Sequence, residues 1–234
     1  MKVLAIIPTY NEKENLEPLV ERLMRLSDIK ADVLIVDDAS PDGTGEIADA
    51  LTTRHYGRVS VLHRAAKSGL GSAYLEGFGW ALKRGYDAVC EMDADGSHDA
   101  ADLSRLVREV EGGADLAIGS RRVAGGRIEG WTPWRHLMSL SAMMLARTAL
   151  GLKTMDVTAG FRCLNRRAAE LLLHSGPLSP GYAFQEESLS VIEKAGMKVV
   201  EVPVVFRDRA SGISKLGWPE IAEFLRMIAR MIRK

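Results

Sequence analysis

The sequence predicts an α/β fold with a mostly parallel central sheet and helices on both faces. Short apolar runs alternate along the first half of the chain with stretches whose apolar residues recur at helical spacing, the mark of strands alternating with amphipathic helices. The strand candidates are continuous apolar runs, as a sheet covered on both faces requires. Three of them end in polar or acid-rich segments, at Pro8-Thr9-Tyr10-Asn11-Glu12, Asp37-Asp38 and Asp93-Ala94-Asp95. Ligands of open α/β sheets sit beyond such carboxyl ends.

In chain order, Val3–Ile7 is the first strand, stopped by Pro8. Asn11 is placed to cap a helix over Glu12–Leu26, in which Leu16, Leu19, Val20 and Leu23 share a face. Val33–Val36 is the second strand. Glu46–Thr53 reads as helix, Val59–Leu62 as strand and Gly71–Arg84 as helix. The apolar run after Asp87 leads into Asp93; a helix near Asp102–Glu111 and a strand at Leu116–Ile118 follow. No internal repeat, low-complexity tract or linker intervenes, so residues 1–234 are expected to form one domain. Residues 218–234 read as a closing amphipathic helix. Ile221, Phe224, Leu225, Ile228 and Ile232 share one face, and Glu223, Arg226, Arg230 and Arg233 the other. Trp131–Leu150 is similarly apolar.

Hydrophobic residues make up 47% of the chain and charged ones 26%, enough for an ample core. The 31 basic and 31 acidic side chains cancel, which argues against nucleic acid as a partner. Cys90 and Cys163 are the only cysteines, neither at zinc-ligand spacing, so a reduced, cytoplasmic compartment is expected. The N-terminal apolar run is too short for a signal peptide. Nowhere do about 18 uncharged apolar residues run together as a membrane span needs.

Asp93 and Asp95 are the first candidates for chemistry. Carboxylates at i and i+2 past a strand end can turn toward one point, and a hard divalent cation takes one or two carboxylates completed by water and substrate phosphates. A solvated acidic turn is the plainer reading of Asp-x-Asp by itself. The first strand lacks the Gly-x-Gly-x-x-Gly of a dinucleotide fold. It offers Tyr10, suited to stack on a base, and Glu12, suited to bond a base or ribose. Ordinary capping and packing account for these two equally well. His98 reads as a local hydrogen-bond partner of Asp99 or the backbone, and the other four histidines as structural or exposed. Ser40 and Ser120 lack His–Asp partners in motif spacing, so a nucleophilic serine is not expected. Gly69-Leu70-Gly71 is a weak anion signal at a helix start. Gln185, just before Glu186-Glu187, is an acceptor-side candidate.

Ile6-Ile7-Pro8-Thr9-Tyr10-Asn11-Glu12, Val36-Asp37-Asp38-Ala39-Ser40-Pro41-Asp42-Gly43-Thr44 and Glu91-Met92-Asp93-Ala94-Asp95-Gly96-Ser97-His98 resemble the family 2 GT-A-type glycosyltransferases. More narrowly, they resemble the polyprenol (dolichol) monophosphate mannose synthases. Gly119-Ser120-Arg121, Gly125-Gly126, Trp134-Arg135, Asp156-Val157-Thr158-Ala159-Gly160-Phe161-Arg162, Gly181-Tyr182-Ala183-Phe184-Gln185 and Asp208-Arg209-Ala210-Ser211-Gly212-Ile213-Ser214-Lys215 carry the similarity to about Leu216. The resemblance implies a GT-A-type nucleotide-diphospho-sugar transferase fold. It places Pro8, Tyr10, Glu12, Val36 and Asp38 around GDP, with Asp93, Ala94 and Asp95 lining the nucleotide-sugar site. Asp93 and Asp95 then hold Mg²⁺ or Mn²⁺ with Ser97, where relatives often carry Gln. Asp95, Arg121, Arg135, Arg209 and Lys215 make the catalytic set, the basic ones meeting donor or acceptor phosphates. Guanidinium forks bind phosphate oxygens bidentately and Lys supplies a point charge. Arg122 and Arg127 read as solvated surface charges.

The implied reaction is inverting transfer of mannose from GDP-mannose to a polyprenyl monophosphate. It needs no general base, because a phosphate monoester with a second pKa of about 6 is already ionised at neutral pH. UDP-glucose or another sugar nucleotide is the alternative donor. A receiver-like signalling domain, with Asp37, Asp38 or Asp93 as phosphoacceptor, is the alternative of another class. A lipid acceptor implies peripheral binding at the cytoplasmic face of a membrane, through the 218–234 helix or a separate membrane-anchor subunit. Plain packing on the sheet is the competing expectation for that helix and for Trp131–Leu150.

Overall fold

The computed structural model describes residues 1–176, 178–208 and 218–232, with the side chains of 218–223 left aside. The first half alternates as the sequence predicts: β1 (Val3–Thr9), α1 (Lys13–Met24), β2 (Ala31–Asp37), α2 (Thr44–Arg54), β3 (Val59–His63), α3 (Leu70–Lys83), β4 (Ala88–Glu91), α4 (Asp102–Glu111) and β5 (Leu116–Ser120). The second half adds β6 (Arg127–Glu129), α5 (Pro133–Leu150), β7 (Arg162–Asn165), α6 (Arg166–His174), α7 (Phe184–Lys194), β8 (Val199–Pro203), β9 (Val205–Arg207) and α8 (Trp218–Ile232).

Seven strands form one sheet in the order β3-β2-β1-β4-β7-β5-β8, and β6 pairs with β9 in a separate ribbon. β1 to β4 run parallel, as do β5 and β8, while β7 lies antiparallel between β4 and β5. Alternate residues of each strand point to opposite faces, so β1 sends Leu4 and Ile6 to one apolar cluster and Val3, Ala5 and Ile7 to the other. α3, α6 and α7 cover the first face; α1, α2 and α4 cover the second.

Pro8 sits inside β1, an interior strand, where a missing N–H would ordinarily cost a ladder bond. β4 pairs with β1 only from Val3 to Ile6, so the ladder has already ended on that side. Asn11 does not cap α1. It adopts φ +59 and gives its N–H to Ser40 Oγ at 3.1 Å, and Glu12 precedes the helix without a side-chain cap. Ala39, just past β2, is likewise left-handed at φ +55. Both are non-glycine residues in a sparsely populated region, at neighbouring strand ends.

α5 begins at Pro133 with Thr132 as cap, its Oγ1 accepting from the Arg135 N–H. Only Met143, Ala146 and Leu150 of this helix are buried. α8 turns Phe224, Met227, Ile228 and Met231 onto the main core, leaving Leu225 and Ile232 exposed. Among the described residues no helix is long and apolar enough to cross a membrane.

Candidate active site

The loop after β4 carries the acids. Asp95 is nearly buried and its Oδ1 accepts the Ser97 N–H at 3.0 Å. Ser97 Oγ is buried with no hydrogen-bond partner, a costly state for a hydroxyl unless a ligand completes it. Among the described residues no cluster of three or more His, Cys, Asp or Glu side chains forms a metal cage. Two carboxylates and an open hydroxyl fit Mg²⁺ or Mn²⁺ bound chiefly through substrate phosphates, because such ions keep few protein ligands. Ala94 is buried between the two acids.

Beneath this loop lies a buried polar layer. Gln185, at the start of α7, donates Nε2 to Glu91 Oε2 at 2.9 Å, and a Cβ built on Gly160 would lie 3.6 Å from Asp93 Oδ2. Arg162 is fully buried and donates to the carbonyls of Ala159, Val157 and Gln185 and to Ser188 Oγ, stapling the 157–159 loop to α7. Burial pushes the carboxyl groups of Glu91 and Glu186 up to about 7.

Among the described residues two arginines, Arg121 after β5 and Arg135 in α5, are the basic candidates. Arg121, just past β5, binds Asp156 through Nε and Nη2 and also donates Nη2 to Thr158 Oγ1. Burial alone would lower the Arg121 pKa, but Asp156, with Asp93 and Glu186 behind it, raises it above the usual value. Burial likewise works to raise the Asp156 carboxyl, yet Arg121 outweighs it and holds that group below its ordinary range. Arg135 donates Nη1 to both oxygens of Asp208 at 2.9 and 2.8 Å and lies 4.4 Å from the Trp131 ring centroid. Arg209 and Lys215 lie outside the described residues.

At the β1 and β2 ends, Lys67 Nζ sits 4.1 Å over the Tyr10 ring, and Glu12 Oε2 accepts from Asn15 Nδ2. Pro8 lies opposite Val36 in register. The Val36 side chain is buried in the core, so only its backbone can face a ligand. Asp38 accepts from Arg64 Nη1 at 2.5 Å and from the Ser68 N–H. Asp37 accepts from Thr9 Oγ1 and from both the N–H and hydroxyl of Ser40. These two acids brace the turn; neither stands open as a phosphoacceptor.

Three further readings change. His98 makes no hydrogen bond to Asp99. It stacks on Phe161 at 4.9 Å with Phe206 edge-on, and burial lowers its pKa to about 4. Arg122 is half-buried and donates to Ser139 Oγ, unlike Arg127, which is exposed and paired with Glu129. The Gly71 N–H is taken by the Pro180 carbonyl at 2.7 Å, and a Cβ there would lie 2.4 Å from Ser179 O. Glycine at that position serves close packing rather than an anion. Asp156 and Asp208 each fall within a motif that carries the resemblance, yet nothing in the spacing between Asp156 and Arg121, 35 residues apart, announces the pair.

The Glycosyl transferase family 2 model matches residues 4–173. Polyprenol monophosphomannose synthase of Mycolicibacterium smegmatis is 47% identical over 229 residues, 97% of this chain and 86% of that protein. Undecaprenyl-phosphate mannosyltransferase of Micrococcus luteus is 44% identical over 230 residues, 98% of this chain and 93% of that protein. The solved structure of a mannosyltransferase from Pyrobaculum calidifontis, in complex with GDP-Man and Mn²⁺, is similar in fold at TM-score 0.67 and 18% identity, covering 100% of this chain and 64% of that one. The mostly parallel sheet is of the GT-A type. With a family model spanning most of its length and relatives at these identities, the chain belongs to glycosyl transferase family 2, a family of enzymes.

Proposed function

We propose that the protein transfers mannose from GDP-mannose to a polyprenyl monophosphate, inverting the anomeric carbon. The carrying observation is that acids and arginine gather around one point: Asp93 and Asp156 both act on the charge of Arg121, and Asp95 and Arg121 both act on His98. Asp93, Asp95 and Ser97 offer oxygens for a metal–diphosphate, while Arg121 and Arg135 offer guanidinium groups for a second phosphate. The names of the two relatives support a mannosyl group and a polyprenyl phosphate acceptor. The GDP-Man and Mn²⁺ in the fold neighbour support the donor and the metal class.

Pro8, Tyr10, Glu12, Asp38 and the backbone at Val36 border the nucleoside. Asp93, Asp95 and Ser97 hold Mg²⁺ or Mn²⁺, which when bound neutralises charge on the departing diphosphate. Arg121 and Arg135, steadied by Asp156 and Asp208, act with Arg209 and Lys215 to set the acceptor phosphate in line with the anomeric carbon. The ionised phosphate attacks directly and needs no base. Because the acceptor is a lipid, the enzyme works as a peripheral protein at the cytoplasmic face of a membrane.

Purified protein given labelled GDP-mannose, polyprenyl phosphate and Mg²⁺ should yield mannose in the lipid extract, and GDP should compete for binding better than UDP. Transfer from UDP-glucose alone would replace the donor. No lipid product with any sugar nucleotide would remove the proposal.

A further inference from the structure

The two cysteines of the sequence meet near the centre of the sheet. Cys90 of β4 lies directly opposite Cys163 of β7 in an antiparallel register, and their sulfurs are 3.0 Å apart. The N–H groups of Ala88 and Met92 donate to the carbonyls of Lys2 and Ile6 on the β1 side, so by alternation the backbone N–H and C=O of Cys90 also point toward β1 and away from Cys163. In the antiparallel ladder Cys90 and Cys163 are then a non-hydrogen-bonded pair, whose Cα atoms come closest, at about 4.5 Å. A disulfide spans Cα separations of about 4.4–6.8 Å with an S–S bond of about 2.05 Å. Closing the bond therefore asks the sulfurs to approach by about 1 Å, with no change of register.

We propose that Cys90 and Cys163 are a dithiol that hydrogen peroxide closes into an intrachain cross-strand disulfide within the folded protein. One thiol attacks the peroxide: an S–O bond forms, the O–O bond breaks, and water leaves. The second thiol attacks the resulting sulfenic sulfur: the S–S bond forms, the S–O bond breaks, and a second water leaves. Two thiols and one peroxide thus give one disulfide and two waters. Both thiols are buried and burial pushes the Cys90 thiol well above its ordinary pKa, so reaction waits on openings of the sheet and is slow. Once a sulfenic acid forms, the facing thiol captures it before a second peroxide arrives, because the partner is already in contact. The bond joins residues 73 apart and ties β4, which delivers Asp93, to β7, which begins with Arg162. A crosslink of that span restricts the unfolded chain and raises resistance to unfolding.

The test is hydrogen peroxide on the folded protein, quenching, then alkylation with N-ethylmaleimide in denaturant. The crosslink is read from peptide masses, because the 10 methionines also gain oxygen. The expected result is a joined Cys90–Cys163 peptide pair that takes no maleimide. A higher guanidinium midpoint and reversal by dithiothreitol should accompany it. Cys163→Ala, checked for folding by circular dichroism, should leave Cys90 alkylable or carrying added oxygen. Two alkylated cysteines after prolonged peroxide, oxygen added without a crosslink, or a crosslink formed only after unfolding overturns the proposal.

Discussion

Asp156 holds Arg121 from three directions. Its Oδ2 accepts Arg121 Nε at 2.7 Å and the Arg121 backbone N–H at 2.8 Å, and its Oδ1 accepts Nη2 at 2.6 Å. Both side chains are buried, so removing the acid strands a guanidinium away from water. Asp156→Ala should cost about 3–5 kcal/mol, with transfer falling at least tenfold in whatever protein stays folded. The folded carboxyl titrates below its ordinary 3.8. The stabilisation is therefore full above that range and is lost as pH falls through the depressed value. A parental unfolding midpoint in Asp156→Ala would contradict the burial argument.

Asp95→Ala should abolish transfer. Its fold should be largely kept, because repulsion between neighbouring acids is relieved and no core is opened. Ser97→Ala removes a buried hydroxyl that has no protein partner. It should weaken Mn²⁺ binding, measured by titration with GDP present, without lowering the unfolding midpoint. Turnover unchanged in Asp95→Ala, or after EDTA, would sink the metal assignment.

The sheet was legible because each early strand is a continuous apolar run with an acid-rich or polar stop. β1, β2, β4 and α4 lie within a few residues of their expected bounds. β7 was not legible as a strand. Arg162-Cys163-Leu164-Asn165 is short, and its burial comes from neighbours on both sides rather than from a pattern of its own. The site divides the same way. Asp93 and Asp95 announce themselves by i, i+2 spacing, whereas Asp156–Arg121 and Asp208–Arg135 are joined only by tertiary folding, 35 and 73 residues apart. Asn11 failed as a cap because the turn beside Ser40 required a left-handed residue, and Asn tolerates that conformation.

Arg209 and Lys215 follow Asp208, which holds Arg135. If they act on the reacting phosphates, Arg209→Ala and Lys215→Ala will lower kcat more than GDP affinity. Arg209→Lys should not restore full rate where the contact is bidentate. Equal losses in GDP binding and turnover would move them into the nucleotide site.

Glu186 lies in the first turn of α7, nearly buried, with its pKa pushed up from 4.5 to about 7 by burial. The folded state then binds a proton that the unfolded state has released, so stability falls as pH rises from 4.5 through about 7. Glu186→Gln should flatten that slope and raise stability at pH 8 by up to about 3 kcal/mol. An unfolding midpoint with the parental pH dependence would show that Glu186 does not carry it.

Among the described residues no helix is long and apolar enough to cross a membrane, yet the proposed acceptor is a lipid phosphate. From sequence, the 218–234 helix was the first candidate to lie in a membrane surface. In the fold Phe224, Met227, Ile228 and Met231 pack on the core, and Arg230 binds buried Glu187 at 2.6 Å. α5 presents the better face. Trp134, Leu137, Met138, Met144 and Leu145 recur at helical spacing and are 45–68% exposed. The helix has no acidic residue and carries Arg135, His136 and Arg147. An apolar stripe flanked by cations suits an anionic lipid surface, each nearby basic residue adding about 1 kcal/mol that salt removes. The stripe also starts beside Arg135, a proposed contact of the acceptor phosphate. Trp134→Ser with Met144→Ser should therefore cut binding to anionic liposomes at least tenfold, since burying each side chain is worth about 1.5–3 kcal/mol. Activity on long-chain polyprenyl phosphate should fall with it. GDP binding should hold, and stability should change by no more than about 0.5 kcal/mol per site, as for exposed positions. Removing Trp218–Lys234 should instead lower the unfolding midpoint, because that helix contributes to the core. A folded Trp134→Ser/Met144→Ser protein that sediments with liposomes like the parent would take α5 out of the membrane surface and return acceptor access to α8 or to a separate anchor.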